Sequence, residues 1–366
     1  MTSTPSLRGP RASAAMFVAL AAFWGTSFVA IEAGIDYFPP LLFAALRYAI
    51  AGAVVLAYAV ATTDRWRPRT RGDWASVAAG GALVIAAYHG LLYLGQRNVP
   101  GAVAAVVVAT APVLTAVFAS AVLGDDSVGP VELVGFALGL LGVVVIAAPD
   151  ASALTATTLL PVGLVFLSAV AFALGGVLTR PFDTTLPARS TQAWTMLVGA
   201  AVLLAGAAAR GESLRDVTWT PTALGSLAYL TVVSGVFAFL LYFELLDRTG
   251  PSTVHLVSYL EPVVATAMSV VVLGHGVAPD VLVGFLAVFA GFAVVERDHL
   301  VAPLTDAHRR VRAVRGVHAV RALRDARYRV RAALAVPDIP DDAGASHATL
   351  PERDASGRRR TGDPSD

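Results

Sequence analysis

His255-Leu256-Val257-Ser258-Tyr259-Leu260-Glu261-Pro262-Val263-Val264 sets a carboxylate and a proline inside an apolar run over residues 252–273. A run of roughly 20 apolar residues crosses the hydrocarbon of a bilayer as a helix. Glu261 then falls near the midplane, where an acidic side chain costs roughly 2.5–3.5 kcal/mol on insertion scales. Pro262 has no N–H, so a carbonyl one turn back is freed beside that carboxylate. Helical spacing gathers His255, Ser258 and Glu261 towards one face, with Tyr259 one turn on from His255. Lipid cannot satisfy such a stripe at that depth, so it must line a cavity enclosed by protein.

The rest of the chain agrees with a membrane setting. Only 14% of its residues are charged, against roughly 25% in soluble globular proteins, and the mean hydropathy is +0.68. There is no cysteine, so disulfides, thiol chemistry and Cys-based metal sites are excluded. All 27 basic residues are arginine. Without lysine there is no P-loop lysine, no Schiff base and no kinase-type nucleotide contact, which removes an ATP-driven pump contained in this chain. Neither HExxH nor GxSxG occurs, and Asp125-Asp126 lacks the spacing of an acidic metal motif. The expectation is a protein that is not an enzyme, with no cofactor and no metal.

About ten segments are long enough to span: 14–31, 41–61, 75–94, 103–123, 131–148, 160–178, 192–209, 222–243, 252–273 and 280–295. Arg8 and Arg11 ahead of the first also suggest a signal peptide, but cleavage would leave nine spans and reverse the arginine pattern. With the N-terminus inside, the inner face receives Arg65, Arg67, Arg69, Arg71, Arg180, Arg189 and Arg248, while the outer face receives Arg97, Arg210 and Arg215. The positive-inside bias therefore predicts a multi-pass protein of the cell membrane with both termini cytoplasmic.

An internal repeat is legible. Ala111-Pro112-Val113 followed by Val122-Leu123-Gly124 returns as Glu261-Pro262-Val263 followed by Val272-Leu273-Gly274. Val134-Gly135-Phe136 with Gly142 returns as Val283-Gly284-Phe285 with Gly291, Gly52 matches Gly199, and Tyr93 matches Tyr242. The unit is five spans used twice, and an odd number of spans inverts the second copy relative to the first. The predicted fold class is an all-α membrane protein of about ten transmembrane helices in two inverted five-helix repeats, over 14–148 and 159–296. A basic cytoplasmic tail, 297–366, follows.

Glu261 is the leading candidate for a functional charge, because its counterpart in the first copy is Ala111 and packing alone does not require an acid there. A carboxyl at that depth is suited to carrying a coupling proton. Arg47, about two turns into the second span, is read either as a contact or gate for an anionic solute or as a partner of Glu32. His89 is either a proton carrier or a neutral histidine bonded to a neighbouring helix. Trp24, Tyr88, Tyr93, Tyr242 and Tyr259 either wall an aromatic cavity or simply pack, while helix–helix hydrogen bonding is the default for Thr26, Ser27, Thr110, Thr115 and Ser168.

Several of these stretches resemble the drug/metabolite transporter superfamily, in particular its EamA-type ten-helix permeases. They are Trp24-Gly25-Thr26-Ser27-Phe28, Ala44-Ala45-Leu46-Arg47-Tyr48, Ala111-Pro112-Val113-Leu114-Thr115, Ser258-Tyr259-Leu260-Glu261-Pro262-Val263-Val264-Ala265 and Val271-Val272-Leu273-Gly274. The likeness covers about residues 14–296. It implies a two-repeat fold, alternating access and export of amino acids or other small metabolites, often against protons. Such carriers commonly follow Leu-Gly with Glu-Arg; here the chain reads Gly124-Asp125-Asp126 and Gly274-His275-Gly276, and the tail lies outside the pattern.

The reading is a secondary active transporter of a small organic solute. Its partners are that solute, membrane lipid and protons, with a homodimer as an allowed assembly. Arg309 to Arg331 make the tail either a helix lying on anionic headgroups or a solvated extension, and 337–366 is expected to be disordered. Nucleic acid is not an expected partner, since Tyr328 is the lone aromatic there. A membrane scaffold or sensor whose tail recruits a partner is the rival reading.

Overall fold

The structure is a computed structural model describing residues 10–124, 129–147, 156–249, 254, 257–274 and 279–295. His255, Asp125-Asp126, His275 and the basic tail, all singled out above, lie outside the described residues. The described residues all fall within one compact unit.

The described residues are helical, without strands. The rods are α1 (Pro10–Ile35), α2 (Pro40–Thr62), α3 (Arg71–Gln96), α4 (Gly101–Leu123), α5 (Pro130–Ala147), α6 (Ala156–Leu178), α7 (Ala188–Ala209), α8 (Pro221–Thr249), α9 (Val257–Leu273) and α10 (Pro279–Val295). Seven of them, α1 to α4 and α6 to α8, are long and apolar enough to cross a membrane. The helical residues of α5, α9 and α10 fall outside that group. Polar chemistry at the ends decides several starts. Thr70 and Asp73 form a capping box at α3, Thr220 accepts from Ala223 N–H ahead of Pro221 at α8, and Pro40 opens α2. The repeated Leu-Gly has a local cause. Gly124 and Gly274 end α4 and α9 at φ +67° and +70°, the left-handed conformation that closes a helix and that only glycine adopts without cost.

Packing is reciprocal between the two copies of the repeat. α2 lies on α7 and α5 lies on α10, each pairing a helix with its own counterpart. α1 packs on α9 as α6 packs on α4, and α3 meets α6 as α8 meets α1. The crossings run through matched small residues. A Cβ at Gly142 would meet Gly284 O at 2.6 Å, and one at Gly291 would strike Gly135 and Gly139 in return. Lipid supplies no hydrophobic drive between helices, so such close backbone approach is what holds the bundle.

The α3 and α8 rods share a further feature. Each widens into π-helical turns near its middle, Gly80–Ala87 in α3 and Tyr229–Phe237 in α8. α9 does so once more at Ser269–Leu273.

Loops clasp both ends of α2. At its C-terminal end the buried Asp73 accepts from Arg69 N–H (3.0 Å), Thr70 N–H (3.0 Å) and Thr185 N–H (2.9 Å), and from the hydroxyls of Thr184 and Thr185. That one carboxylate joins the α2–α3 loop to the α6–α7 loop of the other repeat. At the N-terminal end Glu212 accepts from Leu42 N–H at 2.9 Å and Thr218 N–H donates to Tyr37 O at 2.9 Å.

Candidate functional site

Arg47 is 3% exposed, held in the interior where α2, α3 and α8 converge. Its Nη1 donates to the Tyr93 hydroxyl at 3.1 Å and its Nη2 to Ser234 Oγ at 2.9 Å. The guanidinium also lies over the Tyr48 ring, 4.8 Å from its centroid. Its Nε is buried with no hydrogen-bond partner. Every group holding this cation is therefore neutral, and no carboxylate among the described residues pairs with it. The pairing with Glu32 is a point for correction: Glu32 Oε2 accepts from Gly101 N–H at 2.7 Å. A carboxylate at a helix N-terminus meets unsatisfied N–H groups and the positive end of the dipole, which a distant arginine cannot outbid.

Beside Arg47, the Tyr48 hydroxyl and His89 Nε2 are 2.5 Å apart, and His89 Nδ1 lies 3.1 Å from Ile85 O. With Nδ1 donating to the carbonyl, Nε2 is left to accept from Tyr48. His89 thus bonds both to its own helix and to its neighbour. Its ring also meets Tyr88 (4.2 Å between centroids) and Tyr88 meets Phe172 of α6 (5.1 Å).

Glu261 comes in from α9. It takes part in no hydrogen bond or ion pair among the described residues, and it is half-buried. Tyr88 is half-buried as well, beside His89 on α3. The position of Glu261 is set by α1: a Cβ at Gly25 would stand 2.7 Å from Glu261 O, so glycine lets the two backbones touch there.

The structure brings together Arg47, Tyr88 and His89 through the Tyr48 ring and hydroxyl and the Tyr88–His89 ring contact, while Glu261 sits half-buried on α9. Ser258 and Tyr259 are half-buried on α9 near Glu261. Trp24 packs elsewhere, its ring 5.5 Å from Phe239 and 5.6 Å from Tyr242 of α8. Four of the hydroxyls expected to bridge helices bond within their own instead: Ser27 to Trp24 O, Thr110 to Val107 O, Thr115 to Ala111 O and Ser168 to Val165 O. Short hydroxyl side chains reach the carbonyl three or four residues back more readily than a neighbouring helix. Tyr48, Ser234 and Phe172 complete the site, and only Tyr48 had a local signal, as the neighbour of Arg47.

Apolar rods wrapped around an enclosed cation, a carboxyl and an aromatic wall define a multi-pass membrane protein with a polar interior. The EamA-like transporter family profile matches it twice, over residues 12–148 and 159–297, and the chain belongs to that family. It is 30% identical over 270 residues to the uncharacterized inner membrane transporter YedA of Escherichia coli K12, covering 72% of this chain and 82% of that one. It is 26% identical over 287 residues to the uncharacterized transporter YvbV of Bacillus subtilis 168 (78% and 92% covered). With a probable terminal-alkyne amino-acid exporter of Streptantibioticus cattleyicolor it shares 27% identity over 274 residues, covering 75% and 90%. A protein of known crystal structure shares the fold, with a TM-score of 0.55 at 21% identity over 78% of this chain and 96% of that one. The protein is a membrane transporter.

Proposed function

We propose that the chain is a secondary carrier that exports a small organic metabolite, such as an amino acid or a drug-like solute, by alternating access. In this reading about ten spans form two inverted five-helix repeats, 14–148 and 159–296, both termini are cytoplasmic, and 297–366 is a cytoplasmic tail. The central chamber lies between the repeats. Arg47 contacts the solute's anionic group, Glu261 carries the coupling proton, and Tyr88, His89, Ser258 and Tyr259 shape the cavity, with Trp24 bracing α1 against α8. His255 belongs to the same proposal through its helical spacing from Glu261. Export is favoured by the likeness to the probable terminal-alkyne amino-acid exporter of Streptantibioticus cattleyicolor.

One observation carries the reading: a buried guanidinium held by neutral groups alone, with its Nε–H unpaired. A desolvated charge without a counter-ion is costly, and an entering carboxylate relieves that cost with bidentate hydrogen bonds. Binding shifts the balance of inward and outward states only as far as the solute prefers one of them.

The test is a metabolite screen in proteoliposomes with an imposed pH gradient. Arg47→Gln should lose flux of an anionic or zwitterionic solute at normal expression, and Glu261→Gln should lose the dependence on the gradient. Full gradient-driven flux in both variants would remove the two residues from the mechanism.

A further inference from the structure

The Arg47 site is built from both repeats, and the second repeat contributes one hydrogen bond to it. Tyr93 on α3 holds Nη1, while Ser234 on α8 holds Nη2 across 187 positions of chain. Ser234 is completely buried, and its donor is a charged group, which makes the bond stronger than a neutral one. It occupies one of the five N–H positions through which a guanidinium binds a carboxylate. Side-on capture of a carboxylate uses Nε–H together with Nη2–H. The first has no partner, and Ser234 takes one of the two N–H groups on Nη2.

The backbone around Ser234 is also unusual. It lies in the π-helical stretch Tyr229–Phe237, a wider turn of the kind found mostly at functional sites. Gly235 lets this stretch touch α2, since a Cβ there would meet Ala51 Cβ at 2.9 Å. One turn before Ser234, Thr231 Oγ1 is buried with no partner. A tether to Arg47, a π-helical backbone and a hydroxyl without a partner thus share a single segment of α8.

We propose that Ser234 is a placeholder: it holds the Nη2 edge of Arg47 in the empty carrier and is displaced by the solute's carboxylate, passing occupancy from the first repeat to α8 of the second. Ser234 is a positioning residue for the anion site, not itself the anion's main contact. The inference rests on the reading of Arg47 as an anion site, and its test keeps the two apart.

Benzoate is the probe, a carboxylate on an aromatic body suited to the Tyr88 and Phe172 wall. Its binding to the purified full chain is measured by calorimetry and its counterflow in proteoliposomes. Wild type should bind benzoate and Arg47→Gln should not; equal affinity in the two, or no binding to wild type, overturns the anion site and this inference with it. Ser234→Ala leaves Nη2 unsatisfied in the empty state, so it should bind benzoate about tenfold tighter. Its maximal counterflow rate should fall, lowering KM and kcat together, and Ser234→Thr should restore both towards wild type. If Ser234→Ala weakens binding as Arg47→Gln does, or leaves KM and kcat unchanged, the placeholder role is wrong while the anion site stands.

Discussion

Alanine at position 25 would place a Cβ 2.7 Å from the Glu261 carbonyl oxygen and 2.7 Å from Val264 Cβ. Carbon contacts settle at about 3.5–4.0 Å, so α1 and α9 must part by about 1 Å at the level of the carboxylate. Overpacking of this kind costs about 1–3 kcal/mol. The better helix propensity of alanine returns about 1 kcal/mol, leaving a net loss of up to about 2 kcal/mol. Gly176→Ala is the control, because nothing lies within 4 Å of a Cβ there. Thermal unfolding of both variants in one detergent, with efflux from proteoliposomes alongside, separates the terms. Gly25→Ala should melt lower than wild type and lose flux, whereas Gly176→Ala should melt at or above wild type and keep it. If the two variants behave alike, contact between α1 and α9 is not what positions Glu261.

Two further outcomes follow from the hydrogen bonds. Tyr48→Phe keeps the ring under Arg47 but leaves His89 Nε2 buried without a donor, at a cost of about 1–3 kcal/mol; a melting midpoint equal to wild type would show that water or another group takes the donor's place. Asp73→Asn keeps shape but offers one acceptor oxygen where the carboxylate serves three backbone N–H groups and two hydroxyls. It should cost about 3 kcal/mol and speed hydrogen exchange at the 184–185 amides, and unchanged exchange there would mean the clasp does not hold that loop.

Much of this architecture was legible in the sequence, and what was not has a physical reason. Hydropathy located the rods because a lipid-facing helix must be apolar along its length, although α8 runs on to Thr249 and α3 starts at Arg71 through its cap. The Leu-Gly echo at 124 and 274 signalled a repeat, and the left-handed φ of both glycines explains why the letters persisted. Arg47, His89 and Glu261 stood out because ionisable groups at depth are rare. Of their partners, Tyr48 and Tyr93 had a signal and Ser234 did not: it is an unremarked serine in an apolar run, marked out only by its position 2.9 Å from Arg47. Asp73 did carry a signal, the Thr70-x-x-Asp73 box ahead of an apolar run. Its reach to the α6–α7 loop was not readable, because it depends on how two distant loops meet.

The central claim is that Glu261 and Tyr88 open into a water-filled chamber and not onto lipid. The chain has no cysteine, so each introduced thiol is the only one. Glu261→Cys and Tyr88→Cys should react with a charged thiosulfonate reagent in intact vesicles, while Val271→Cys, 77% exposed on the outer face of α9, should not. An unreactive thiol at 261 beside a reactive one at 271 would turn α9 around and remove the chamber from the account.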